Sequence, residues 1–391
     1  MASTEFMLPP LVSFNPVANM QNAWVALSLR VDPVVGDLAT SLHHVFSSAD
    51  LLAAIAPLDC ILMLDSAAVI NDELAALMPV NRVSFAINGN ALQDDSSRQR
   101  MCELQERGYR VLVDGLPPAG TAVPPTLRSV ANDFSEAAPK AEVLPLVFGP
   151  HLAHGVHSAT RRAECARVGY EWFSGDYPLH PPPSLDPQDG SSRKRLMNLL
   201  GLLARDAETR ELEALLKQDP SLSYHLLKLA NSAAFAQTMA ITSFSQAISV
   251  LGRRQLQRWL QLLLYARQQP DGMANPLLPI AALRAAQMES LCKLRCGERE
   301  EQDLAFMTGV FSLLDLLFAL PMEEIVGALS LPPVAANALL ERKGPFGELL
   351  ALIETRRVEP MMLDCAGLAP APWWQSQLHA YHWAIQVSRN L

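Results

Sequence analysis

The chain has 391 residues, half of them apolar, and a formal net charge of −9. That length exceeds what one ordinary core takes, so two domains are expected. The acidic balance gives no long-range pull toward nucleic acid phosphates. Nor is any run apolar enough for a membrane-spanning helix, since even LQLLLYA is interrupted at Arg267 and Pro270.

The opening stretch, MASTEFMLPPLVSFNP, lacks the basic start and apolar core of a secretory signal. Cys60, Cys102, Cys165, Cys292, Cys296 and Cys365 are scattered with no CxxC pair. A cytoplasmic protein with reduced thiols is expected. Charge divides unevenly, with 11 Lys and Arg against 21 Asp and Glu through residue 190, then 20 against 19.

In chain order, WVALSLRV (24–31), CILMLD (60–65), RVSFAI (82–87), YRVLVD (109–114), VLPLVFG (143–149) and YEWFS (170–174) read as strands. Amphipathic segments such as SSADLLAAIA, NDELAALM, SSRQRMCELQERG and HSATRRAECARVG lie between them. Repeated strand, helix, strand units imply a parallel sheet, open or closed into a barrel. Fewer than 190 residues is short for a complete eight-fold barrel, so an open edge able to pair with a second copy is one expectation.

VFGPHLAHGVHS places His151, His154 and His157 at three-residue intervals. Three imidazoles so close raise a metal site, with His154 and His157 meeting one ion and His151 joining from the preceding loop. The alternative is a solvated loop around Gly155, because a structural site wants four ligands and only three are in view. The adjacent pair His43 and His44 is given no role.

At PLHPPPSLDPQDGSSRK (178–194) the hydrophobic period is lost, which marks the boundary between domains 1–190 and 191–391. Beyond it helices dominate. Asp219-Pro220 opens one, Ser243 and Gln246 have capping-box spacing, Gly252 is a stop, and Pro279, Pro321 and Pro332 begin others. The region from 195 onward is expected to be all-helical.

Two resemblances follow from these stretches. DPSLSYHLLKLANSAAF, containing Asn231 and Ser232, with ITSFSQAISVLGRRQLQRWL behind it, resembles the HDOD domain. LRAAQMESLC, containing Arg284 and Glu289, and AFMTGVFSLLDLLFALPMEEIVGAL are similar to tandem EAL plus HDOD proteins of the YuxH type. In the first half YRVLVDG, LAHGVH and GYEWFSGDYPL fall in the order of EAL-domain motifs. The fold implied is an α/β domain, a truncated and degenerate EAL-type β/α barrel, followed by an all-α HDOD domain.

EAL enzymes hydrolyse cyclic di-GMP with two divalent ions held by carboxylates, an Asn and water, with a Lys in the site. On that resemblance Asp114 keeps one of two paired aspartates, with Gly115 at the other place, and His154 and His157 stand where two glutamates are expected. Ala131 and Asn132 lie near the place of the Lys, Val25 or Ala26 at that of the opening Glu, and Ser174 at that of a Gln. Imidazoles among such ligands disfavour magnesium, a hard ion that prefers oxygen. HDOD domains are related to HD phosphohydrolases, whose adjacent His-Asp pair ligates metal. GVFSLLD places Ser312 and Leu313 there, with Asp315 two residues on.

Of the remaining positions, Asn231 and Ser232 are expected to cap, and Arg284 and Glu289 to pair with each other. Arg253, Arg254 and Arg258, beside Trp259, are expected to form a solvated basic face, and Trp373-Trp374 to lie in the core. The resemblance implies a non-catalytic signal-transduction adaptor that touches other signalling proteins. No cofactor is expected, nor any membrane or nucleic acid contact. A cyclic di-GMP receptor without hydrolysis and a phosphohydrolase using the histidines with Asp114 stay open. A helix-turn-helix reading of SFSQAISVLGRRQLQRW is disfavoured by the acidic chain.

Overall fold

Asn19 turns the chain back on itself, its Oδ1 accepting from the backbone N–H groups of Gln21 at 2.9 Å and Ala23 at 3.0 Å. Strands β1 (Leu11–Ala18) and β2 (Trp24–Asp32) thereby pair antiparallel, with Phe14 opposite Leu29. The computed structural model describes residues 10–33, 36–121, 127–139, 149–181, 198–202, 252–266, 273–329 and 331–390, with isolated positions between 208 and 246. The chain groups into two compact units, residues 1–182 with 356–378, and 183–355 with 379–391.

In the first unit, β3 (Asp59–Leu64), β4 (Val83–Asn88), β5 (Arg110–Asp114), β6 (Ser129–Asp133), β7 (Leu152–His154) and β8 (Trp172–Ser174) follow β2 in parallel. Val17 and Ala18 then pair antiparallel with Ser174 and Phe173, closing an eight-stranded barrel. Of the open and closed alternatives the closed barrel is the one formed, and pairing through an exposed edge is corrected, because a closed barrel leaves no free edge for a second copy. The economy lies in the connections. Helices α1 (Leu38–Ser47), α2 (Asp50–Ala54), α3 (Asp72–Leu77), α4 (Asp95–Glu106) and α5 (Ala159–Val168) pack between some strands. None lies between β5 and β6 or between β6 and β7 among the described residues.

Two strands escape the sequence pattern. β1 carries Asn15 and Pro16, which break the apolar alternation, and β6 is a five-residue run ending in Asn132 and Asp133. VLPLVFG falls almost wholly outside the described residues, and the strand after it starts at Leu152.

Strand alternation sets the interior. Val17, Ala26, Ile61, Ala86, Leu112, Ala131 and Leu152, one from each of the first seven strands, form a single buried cluster, with Trp172 of β8 packed against it. The residues two places further along the parallel strands share this inward face, and they are polar at the strand ends: Asn88, Asp114, Asp133, His154 and Ser174. The first unit also takes in the helix α13 (Pro360–Cys365) and the start of α14 (Pro370–Asn390), where Trp373 is buried and Trp374 stacks on Phe14 at 5.6 Å. The core reading thus holds for Trp373, while Trp374 is half-buried.

Every element described in the second unit is helical: α6 (Arg253–Leu263), α7 (Leu277–Leu294), α8 (Arg299–Phe311), α9 (Leu314–Phe318), α10 (Met322–Leu329), α11 (Pro333–Glu341), α12 (Gly344–Glu354) and the end of α14. α7 and α8 lie together where Gly309 meets Ala285. A Cβ at Gly309 would come within 2.7 Å of the Ala285 backbone. Tyr265, fully buried, donates to the Val310 carbonyl at 2.7 Å and ties the segment after α6 to the same core. No helix among the described residues is long and apolar enough to cross a membrane.

Candidate functional site

Because the inward strand ends gather at one mouth of the barrel, side chains far apart in sequence meet there. Asp114 of β5 and His154 of β7 are joined by a 2.7 Å contact from Nε2 to Oδ1, both side chains largely shielded from solvent. Burial pulls the His154 pKa down, but the hydrogen bond and charge of Asp114, helped by Asp133, outweigh it, and the net shift is upward. This contact therefore favours an imidazolium facing a carboxylate. Across the mouth Arg30 of β2 lies 3.8 Å from Asp65, just after β3.

Gly155 makes this arrangement possible. It takes φ +66°, and a Cβ there would lie 2.1 Å from Oδ1 of Asp133, whose carboxylate accepts from the Ser135 N–H. The Gly of LAHGVH is thus required by left-handed backbone and by a carboxylate pressed against it.

The three histidines do not converge. His151 is buried, and its Nδ1 accepts from the Val130 N–H at 3.2 Å, so it serves the junction of β6 and β7. His157, in the turn before α5, points to Asp176, with Nδ1 2.6 Å from Oδ1. Arg356, of the same unit, holds the other Asp176 oxygen at 2.5 Å. Burial raises the Asp176 pKa, but His157 and Arg356 together hold the carboxyl below the usual range. The three-histidine alternative and the solvated-loop reading are both corrected. His154 ends a strand and its side chain faces inward, whereas His157 lies beyond Gly155, where the chain has left the sheet.

Of the pairs left open by the sequence, alternation selects one each. Ala26, fully buried, belongs to the interior cluster with Ala131, while Asn132 points the other way and donates to the Tyr170 hydroxyl at 2.5 Å. The inward member of each pair, Ala26 on β2 and Ala131 on β6, thus carries only a methyl group. Among the described residues no three His, Cys, Asp or Glu side chains group as a metal site. The donor set suits a pair of hard divalent ions poorly, because Asp114 is already engaged by the His154 imidazole, the inward members Ala26 and Ala131 offer no oxygen, and Arg30 stands nearby.

In the second unit the expected Arg284–Glu289 pair does not form. Five residues apart on one helix, they point about 140° away from each other. Arg284 is buried and reaches Glu354 at 2.8 Å and the Ser312 hydroxyl at 2.9 Å. Burial pushes its pKa down, with Glu354 opposing. Ser312 passes its own hydrogen to the Gly309 carbonyl at 2.8 Å, and Leu313 is buried beside it. Glu289 instead meets Arg258 and, at 3.5 Å, Arg254. Both arginines also bind Asp303, at 2.9 and 2.5 Å, so this face is not merely solvated. Asn231 is an exposed turn residue, and Ser232 lies outside the described residues, as does most of the helix-turn-helix stretch.

Asp133, Arg30, Asp65, Asp176 and Arg356 were not singled out by the sequence. Strand alternation from Ala131 was the signal for Asp133. Arg356 had none, because 180 residues of chain separate it from Asp176.

Residues 191–276 match the HDOD domain. The uncharacterized protein YuxH of Bacillus subtilis is 28% identical over 209 residues, which are 52% of this chain and 50% of that protein. The cyclic di-GMP phosphodiesterase CdgJ of Vibrio cholerae is 25% identical over 295 residues, 72% of this chain and 67% of that one. The chain thus spans about half the length of YuxH and two thirds of CdgJ. Among solved structures, the EAL-like domain protein YdiV covers 43% of this chain and 90% of its own at 15% identity and a TM-score of 0.32. An HDOD domain protein of Geobacter sulfurreducens covers 48% and 82% at 15% identity and a TM-score of 0.30. The first unit is thus a closed eight-stranded barrel, the helical region that follows contains the stretch matching the HDOD domain, and the chain as a whole is similar to YuxH and CdgJ.

Proposed function

We propose that this protein is a non-catalytic signal-transduction adaptor, working through contacts with other signalling proteins in circuits linked to cyclic di-GMP. The observation that carries the reading is the Asp114–His154 pair at the barrel mouth. A carboxylate bound to an imidazole with a raised pKa is a poor ligand for magnesium, and both inward neighbours, Ala26 and Ala131, contribute only methyl groups. The link to cyclic di-GMP comes from CdgJ, named as a cyclic di-GMP phosphodiesterase, and rests on that relationship. Signals would pass by recognition at surfaces, with partner binding shifting the populations of conformations.

A second reading has its own support. Arg30, Asn88 and Asp133 keep the mouth polar, as a nucleotide receptor without turnover would need. Isothermal titration of the whole chain with cyclic di-GMP, with and without magnesium, followed by chromatography of the nucleotide, separates the readings. The adaptor reading expects neither heat nor cleavage. Binding with intact nucleotide replaces it by the receptor reading, and cleavage overturns both.

A further inference from the structure

The second unit holds a cleft of about 720 Å³ that neither the barrel mouth nor the buried Arg284 pair explains, lined by α6, α7, α8 and the end of α14. Four cationic side chains border it: Arg254 and Arg258 from α6, Lys293 from α7 and Arg299 from α8. Among the described lining residues Glu289 is the only carboxylate. Arg254 and Arg258 are fixed by Glu289 and Asp303, and Arg258 also lies over the Phe306 ring at 4.8 Å. Lys293 and Arg299 are exposed and form no ion pair among the described residues. In a chain whose net charge is −9, this cleft is locally positive.

Its uncharged groups point the same way. Trp383 lines the wall, its ring 4.9 Å from that of Trp259, and its buried Nε1–H has no acceptor among the described residues. The Nε–H of Arg258 is likewise buried without an acceptor among the described residues. Donors in surplus over acceptors, partly withdrawn from water, suit an anion with several oxygens, and an indole face suits a planar ring beside it. The volume falls within the range of small-molecule sites.

We propose that this cleft binds a phosphorylated small molecule of nucleotide size. The two fixed arginines preorganise the floor, while Lys293 and Arg299 supply charge not already neutralised by protein carboxylates. Trp383 contacts the organic part. The site is independent of the reading given to the barrel, and its test leaves cyclic di-GMP out.

The test is calorimetric titration of the whole chain, without added metal, using inorganic phosphate, pyrophosphate and guanosine triphosphate as probes. Lys293→Ala, Arg299→Ala and Trp383→Phe are compared with Arg167→Ala, an exposed barrel residue that alters net charge equally. The proposal expects saturable binding that tightens from phosphate to the triphosphate. Affinity falls about tenfold in Lys293→Ala and in Arg299→Ala and stays unchanged in Arg167→Ala. Trp383→Phe weakens the triphosphate more than pyrophosphate. The absence of saturable binding, an equal loss in Arg167→Ala, or binding confined to an acidic peptide offered in the same titration overturns the proposal.

Discussion

The buried charge cluster of the second unit makes an asymmetric prediction. Arg284 is 8% exposed and depends on Glu354, whereas Glu354 also receives two hydrogen bonds from Arg342, at 2.8 and 3.0 Å. Glu354→Ala would strand a guanidinium in the core with, among the described side chains, only the Ser312 hydroxyl to accept from it. Removing one partner of a buried pair in this way costs about 3–5 kcal/mol. Arg284→Met fills much the same volume, removes the group whose burial is unfavourable and leaves Glu354 bound to Arg342. Its cost is the one hydrogen bond that the Ser312 hydroxyl accepts, about 0.5–1.5 kcal/mol, since that hydroxyl keeps its bond to the Gly309 carbonyl. For a unit of this size the difference corresponds to a Tm gap of roughly 5–10 °C. Differential scanning calorimetry of both variants measures it on the transition of the helical unit. If Arg284→Met unfolds at or below the temperature of Glu354→Ala, the reasoning about which charge is the liability is wrong.

Three further outcomes are expected. The pKa of His154 is raised above the ordinary value of 6.5, so its pairing stabilises the fold fully below that pH and is lost as pH rises through the raised value. The Tm of the wild type should therefore fall over this range more than that of His154→Gln, and parallel profiles would refute the pairing. Asp176 is held below 3.8, so its contribution is present above that pH and lost as acid is added through the lowered value; an acid titration of Asp176→Asn by circular dichroism should lack this component. Gly309→Ala gains helix propensity but drives a methyl into the Ala285 backbone, so urea denaturation should show a net loss of about 1–3 kcal/mol.

Much of the architecture was readable before any tertiary structure. Runs such as CILMLD and RVSFAI are apolar on both faces, and in a parallel sheet only burial on both sides explains that pattern. LAHGVH and YRVLVDG marked the strand ends where His154 and Asp114 lie. The change to helical periods beyond residue 195 was also correct for the described residues, because amphipathic helices announce themselves locally.

What the sequence by itself determined is what depends on neighbours along the chain: strand and helix type, the polar strand ends and the parallel order of the sheet. Barrel closure was decided by pairing between β1 and β8, two segments some 150 residues apart, and no local pattern encodes such a register. The same holds for the sites. His154 meets Asp114 rather than His157, and Arg284 meets Glu354 rather than Glu289, because strand alternation and helix rotation set direction while only packing sets the partner. Spacing along the chain limits which side chains share a face; distance in the folded molecule, with desolvation acting on each charge, selects the pairs that form.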